Sequence, residues 1–262
     1  LTMQPDLILL LIAGFLGGML NAIAGGGSFL TLPALLFAGV PPVAANATGT
    51  AALLPGYIAS AWRFRRDIGY PSGLGWGDIA MLSALGGSLG AILLVITSDR
   101  LFSAIIPWLI LFATVLFALG PRLMAAGAPV AEQKSAAHTS RISPRRSWLN
   151  ALLLFLTCVY GGYFNGGLGI LLLAAFSSMG EKNLHAMNGL KNVVSALLAC
   201  IAVFLYAWGG AIAFDRLLPL ALAAIAGGYA GAALAYRIPQ QILRACIVAI
   251  GILLTLAFFL QQ

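Results

Sequence analysis

The sequence predicts an all-α polytopic membrane protein of two inverted repeats, each a broken-helix hairpin plus three transmembrane helices. Three observations carry this. Of 262 residues, 61% are hydrophobic and 8% charged, where a soluble domain is about 45–50% apolar and about 25% charged. The mean hydropathy is +1.00. The apolar residues fall into long charge-free runs, and the two halves of the chain repeat each other. This composition excludes a soluble enzyme, a disordered regulator and a nucleic-acid binder working through charge density. The net charge of +7 matters by its position more than by its size.

The elements follow in chain order. A spanning helix needs about 20 apolar residues, and leucine, alanine and glycine without alternation favour helices over a barrel. Residues Leu7–Gly39 are too long for one span and short for two, and Asn21, Gly25, Gly26 and Gly27 interrupt them, with Pro33 beyond. Glycine costs roughly 1 kcal/mol inside a helix, so a cluster inside a membrane makes sense where backbone lines a cavity or a helix packs closely. The expectation is a hairpin that returns to the side it entered from, against the alternative of a full helix plus a tilted short one. Crossings follow at about Pro42–Trp62, Trp76–Thr97 and Leu101–Leu119. Residues Ser147–Gly180 form the second broken element, interrupted by Asn165, Gly166, Gly167 and Gly169, and Leu184–Trp208, Ile212–Tyr236 and Pro239–Leu260 complete the set. The chain thus divides into a first transmembrane repeat (1–119), a polar, basic cytoplasmic linker (120–147) and a second repeat (148–262). Asp6 is the early charge and no basic region precedes the first apolar stretch, so that stretch is not expected to be a signal peptide.

The repeat rests on three ordered matches. Gly17–Asn21 (GGMLN) answers to Gly161–Asn165 (GGYFN), Asn46–Thr50 (NATGT) to Asn188–Asn192 (NGLKN), and Gly86–Ala91 (GGSLGA) to Gly227–Ala232 (GGYAGA), at offsets of 144, 142 and 141 residues. Internal repeats in a polytopic protein point to a transporter with its site between the halves. A hairpin plus three crossings per half inverts the second half. One face then carries Arg63, Arg65, Arg66, Arg122, Lys134, Arg141, Arg145, Arg146, Lys182, Lys191, Arg237 and Arg244. The other carries Arg100 and Arg216, beside Asp99 and Asp215 in external pairs. By the positive-inside rule the basic face is cytoplasmic and both termini lie outside; the expected location is the bacterial plasma (inner) membrane, multi-pass, with those termini periplasmic.

The run GFLGGMLNAIAGGGSFLTLPALLFAGVPPVAANATGT resembles the first repeat of the sulfite exporter TauE/SafE family, and GGYFNGGLGILLLAAFSSMG with NGLKN is similar to its second. The resemblance covers nearly the whole chain. It implies a secondary transporter of small anions, associated with export of sulfite, sulfoacetate and related organosulfur anions from the cytoplasm, by alternating access and without ATP hydrolysis. It implies no cofactor. Uptake of a sulfur compound or another small anion is the closest rival, and a non-transporting membrane scaffold stands further off.

The candidate substrate site draws on both halves. Asn21 and Asn165 occupy matching positions beside the breaks, where a buried amide needs partners. The amides freed at Gly25, Gly26, Gly27, Gly166 and Gly167 suit an anion at a half-helix N-terminus. Asn46, Thr48 and Thr50, and Asn188, Asn192 and Ser195, form two further polar clusters, although Ser and Thr often bond back to their own helix. Lys191 lies about 10 Å inside its span at 1.5 Å per residue. It either snorkels to the cytoplasmic headgroups or neutralises the bound anion. Its counterpart in the first half is Gly49, so the site is asymmetric. Cys158, Cys200 and Cys246 are taken as buried hydrophobes, and the glycines of GGSLGA and GGYAGA as helix-packing positions. No nucleophile–base set, metal-ligand cluster or phosphate loop is present in the sequence, so neither catalysis nor a bound metal is expected. The partners are a small anionic substrate and the lipid bilayer, with no nucleic acid.

Overall fold

The computed structural model describes residues 5–64, 74–127, 144–181, 183–234 and 240–260. Its helices are α1 (Pro5–Ala24), α2 (Ser28–Phe37), α3 (Pro42–Phe64), α4 (Trp76–Ile96), α5 (Asp99–Gly127), α6 (Pro144–Tyr163), α7 (Leu168–Ser178), α8 (Leu184–Trp208), α9 (Phe214–Leu234) and α10 (Gln240–Leu260). No strand occurs among the described residues. Within them, Pro5–Ala22, Trp76–Ile96, Asp99–Leu119 and Ala186–Trp208 are each long and apolar enough to cross a membrane. The protein is an all-helical, polytopic membrane protein.

Both broken elements are broken where the glycines cluster. Gly25 takes φ +76° and donates its N–H to the Asn21 carbonyl at 3.0 Å, ending α1. Gly167, at φ +77°, precedes α7. Only glycine adopts this left-handed region without a steric penalty. Helix α5 runs on to Gly127 and α6 begins at Pro144, so helix occupies both ends of the segment read from sequence as a linker. Its centre, residues 128–143 with Lys134, His138 and Arg141, lies outside the described residues, as do Arg65, Arg66, Lys182 and Arg237.

The helix ends sort into two groups. Asp6 at the start of α1 lies 4.0 Å from Arg216 at the start of α9. Ala213, just before α9, donates its N–H to Thr48 Oγ1 in α3, and Val43 at the start of α3 donates its N–H to Asp99 at the start of α5. Helices α1, α3, α5 and α9 therefore all begin at one end of the bundle. At the other end Leu74 and Ile79, by the start of α4, pack with Phe176 and Met179 from the end of α7 and with Met187 from the start of α8. The first hairpin thus enters and leaves at one end, and the second leaves at the opposite end.

The packing is symmetric under exchange of the halves. Helix α1 lies along α9 and α6 along α4, while α3 faces α8 and α5 faces α10. The α1–α9 and α4–α6 pairs are parallel and seamed by glycine. Gly14 meets Leu220, Gly18 meets the Ala224 carbonyl, the Phe15 carbonyl meets Gly227, and Met19 meets Gly231. In the other pair Gly86 meets Cys158, Gly90 meets the Val159 carbonyl, and Gly162 meets the Gly87 carbonyl. The repeated strings thus meet across the halves, GGSLGA against the helix ending in GGYFN and GGYAGA against the helix bearing GGMLN. Lipid offers helices no hydrophobic drive to associate, so small residues that let backbones touch supply the contact.

Two expectations are corrected. Cys158 is buried, but Cys200 and Cys246 are exposed on the outer surface of the bundle, because both fall on outward faces of α8 and α10. The Asp99 carboxylate caps α3 through Val43, whereas Asp215 does pair with Arg216, at 3.1 Å.

A Cβ on Gly227 would occupy the space of the Phe15 carbonyl, while on Gly228 it would find its nearest neighbour, the Gly18 carbonyl, at 3.8 Å. Gly227→Leu is expected to lower thermal stability in detergent by at least about 1–3 kcal/mol, the usual cost of overpacking. Gly228→Ala should leave the melting curve unchanged; equal melting of the two variants would mean that the α1–α9 seam is not close-packed.

Candidate functional site

The two breaks meet inside the bundle. A Cβ on Gly25 would lie 3.2 Å from the Gly169 Cα in the second hairpin, and one on Gly26 would touch Phe117 of α5 and Ile247 of α10. Gly167 faces Ala113 and Phe117 of the same α5. Gly25, Gly26, Gly27, Gly166 and Gly167 are all buried. The floor of the junction is apolar, with Phe29 and Phe117 edge to face at 5.5 Å.

Breaking a helix in the core leaves carbonyls without partners, and in hydrocarbon each orphan costs several kcal/mol. The second hairpin meets this with side chains. Tyr206 of α8 donates to the Gly162 carbonyl, Asn46 of α3 to the Tyr163 carbonyl at 3.0 Å, and Tyr160 to the Gly166 carbonyl at 2.6 Å. The first-turn amides are turned back on the tips. Phe29 N–H goes to the Gly26 carbonyl, Leu30 and Thr31 N–H to Gly27, Leu168 N–H to Asn165, and Ile170 and Leu171 N–H to Gly167. Of the amides expected from sequence to face a ligand, Gly25 N–H is bonded to the Asn21 carbonyl, and the bonds above come from residues that follow the glycines.

Several of the sequence-derived residues have structural partners. Asn46 holds α6, as above. Thr48 accepts the Ala213 N–H at 2.9 Å, tying α3 to the α8–α9 turn. Thr50 donates back to the Asn46 carbonyl at 2.9 Å. This first-half cluster fastens the second hairpin and the α9 entry.

Asn21 and Asn165 are brought together. Tyr57 of α3 donates its hydroxyl to Asn165 Oδ1 at 3.2 Å, and the Asn21 amide lies against Gly56, the residue before Tyr57, close enough to interact with that hydroxyl. Asn21 Oδ1 and Asn165 Nδ2 remain buried without partners, as do Thr31 Oγ1 and Ser195 Oγ. A buried, unpaired polar atom costs about 1–3 kcal/mol, so the unpaired amide atoms of the asparagine pair mark a place suited to a polar occupant. Sequence reasoning missed Tyr57. A lone tyrosine in an apolar run carries no motif, and only the fold brings it to the asparagines.

The last group lies on α8. Asn188, Lys191, Asn192 and Ser195 fall at spacings of three and four, and so share one helix face. Lys191 is 6% exposed, buried among the helices. Its ammonium forms no ion pair or hydrogen bond among the described residues. Asn188 is half-buried, Asn192 and Ser195 buried. One turn further, Ala196 and Ala199 pack against Tyr57, so the stripe leads to the asparagine pair. Lys191 precedes Ala196 by about 7.5 Å of helix. Its first-half counterpart Gly49 is filled instead by Thr31, whose Oγ1 would lie 3.0 Å from a Cβ there. No cluster of His, Cys, Asp and Glu fit for a metal occurs among the described residues.

Comparison with known proteins finds relatives over nearly the whole chain. The model of the sulfite exporter TauE/SafE family matches residues 10–258. A probable membrane transporter protein of Haemophilus influenzae is 28% identical, covering 98% of this chain and 95% of its own. The probable membrane transporter protein YfcA of Escherichia coli K12 is 26% identical over 92% of this chain and 85% of its own. The probable membrane transporter protein ORF9 of a Sinorhizobium species is 30% identical over 66% of this chain, which spans 61% of that relative's length. The chain belongs to the sulfite exporter TauE/SafE family, a family of membrane transporters.

Gly167 combines a positive φ with a Cβ position 2.9 Å from the Ala113 Cβ. Gly167→Ala is expected to cost about 1–3 kcal/mol through backbone strain, with the protein still inserted. Solute flux in liposomes should fall with it; normal melting and normal flux together would show that the tip tolerates a side chain.

Proposed function

We propose that this TauE/SafE family member is a secondary transporter that exports small organosulfur anions, such as sulfite, sulfoacetate or a related sulfonate, from the cytoplasm by alternating access. The observation that carries the proposal is Lys191, a buried cation with no carboxylate partner among the described residues. It shares a helix face with Asn188, Asn192 and Ser195. A buried charge without a partner is costly unless a ligand supplies the opposite charge, and an intramembrane ionisable group is by default functional. Asn21 and Asn165, one from each half, offer the polar atoms that orient the oxyanion.

Alternating access suits the frame. Two hairpins that open toward opposite ends and meet at the site let one closed end exchange for the other. In the membrane this corresponds to two inverted repeats, with the basic face and linker cytoplasmic and both termini periplasmic. The direction follows from energetics. An anion leaving a cell gains about 2.3 kcal/mol per charge per 100 mV. Uptake of the same anion would work against that potential and need a coupled ion.

Two outcomes are expected. A label within residues 128–143 should react from the cytoplasm and one after Gln262 from the periplasm; both on one side would rule out the inverted arrangement. Lys191→Met keeps the apolar stem and removes the charge. It should weaken sulfite or sulfonate affinity about tenfold to hundredfold, for a lost charge-assisted bond of about 1.5–3 kcal/mol, with insertion unchanged. Wild-type affinity at matched expression would take Lys191 out of the site.

A further inference from the structure

The asparagine–tyrosine bridge narrows the substrate further, on the premise that the junction binds the transported anion. A hydroxyl placed between two amides gives one proton and accepts one. Tyr57 donates to Asn165 Oδ1 and engages Asn21, leaving Asn165 Nδ2 and Asn21 Oδ1 unpaired. Turning both amides over exchanges their roles and leaves the same remainder, one donor on one amide and one acceptor on the other. An oxyanion supplies acceptors only. It satisfies the amide donor, Ser195 and Lys191, but it leaves the amide acceptor empty unless it also brings a proton of its own.

The charge count points the same way. Lys191 is the one buried cation and no buried carboxylate occurs among the described residues. Of the elements packed against α8, α3 carries Tyr57 with Arg63 near its far end, and α6 carries Cys158, Tyr160 and Tyr163 with Arg145 and Arg146 in its first turn. Helix α4 carries Asp78 in its first turn, and α7 has no titratable side chain. A monoanion neutralises Lys191, whereas a second negative charge stands uncompensated in a desolvated site.

We infer that the substrate is a singly charged oxyanion bearing its own hydrogen-bond donor: a protonated oxyacid such as hydrogen sulfite, or a sulfonate with a hydroxyl group. Dianions are selected against, fully ionised sulfoacetate among them, which narrows the anions proposed above to hydrogen sulfite and hydroxylated sulfonates. When hydrogen sulfite is the cargo its proton crosses with it, so movement of sulfite is linked to protons without any carboxylate relay in the protein.

The test is calorimetric binding to the purified full-length chain of isethionate, ethanesulfonate, sulfate and sulfite. Isethionate and ethanesulfonate differ by one hydroxyl, and sulfate adds a charge and has no donor. Isethionate should bind about tenfold or more tightly than either, the cost of one buried polar group left unpaired. Sulfite should lose affinity relative to isethionate as the pH rises through its second ionisation, isethionate measured over the same range registering any change in the site itself. Asn21→Leu removes the unpaired amide acceptor, and the preference for isethionate over ethanesulfonate should shrink toward unity. The inference is overturned by sulfate or ethanesulfonate binding as tightly as isethionate, by sulfite binding that does not weaken relative to isethionate with rising pH, or by an undiminished preference in the Asn21→Leu protein. Failure of all four probes to bind removes the anion site itself, a result distinct from binding without discrimination.

Discussion

Everything in this molecule depends on one constraint: hydrocarbon gives no partner to a free backbone N–H or carbonyl. A helix can be interrupted there only if other groups take over its broken bonds. The two hairpins solve this differently. The first closes on itself, with Gly25 turned left-handed and bonded to Asn21. The second borrows Tyr206, Asn46 and Tyr160 to cover three of its carbonyls. Two of these come from α8 and α3, the helices that also carry Lys191 and Tyr57. The scaffold of the break and the proposed recognition surface are therefore the same pair of helices, and a movement of either changes both.

The same constraint explains the asymmetry between the halves. A duplicated frame keeps its contacts under exchange, and the glycine seams and helix pairings do so. The polar residues do not. Lys191 corresponds to Gly49, whose space is taken by Thr31, and Asn46 serves as a clip while its counterpart Asn188 has no partner bond among the described residues. Two copies of a buried lysine would repel each other in a low-dielectric interior. Among the described residues the buried charge stands in the second half alone.

Much of the fold was legible in the residues. The runs Trp76–Thr97 and Leu184–Trp208 predict α4 and α8 closely, because charge-free length is a direct measure of what a membrane accepts. The breaks at Gly25–Gly27 and Gly166–Gly167 were legible for the opposite reason, since glycine weakens a helix that nothing else interrupts. Helix α5 outruns its apolar stretch to Gly127, because backbone bonds continue past the point where hydropathy falls. The site was legible in part. Asn21, Asn165 and Lys191 stand out as polar residues in apolar runs, but Asn46, Thr48 and Thr50 stand out equally and turn out to hold the frame. Which amide is free and which is bonded depends on contacts between distant segments such as Tyr57 and Asn165, and these leave no local pattern.

The parallel seam between α1 and α9 has a consequence during synthesis. Gly18 packs on Ala224 and Phe15 on Gly227, so α1 meets its main partner about two hundred residues later in the chain. At about 5–20 residues per second the ribosome needs on the order of 10–40 s to deliver it. For that interval α1 presents a row of glycines to lipid, with no backbone to close against. Non-local contacts of this kind slow folding, and the first half of the chain cannot reach its final packing while the second is still unmade.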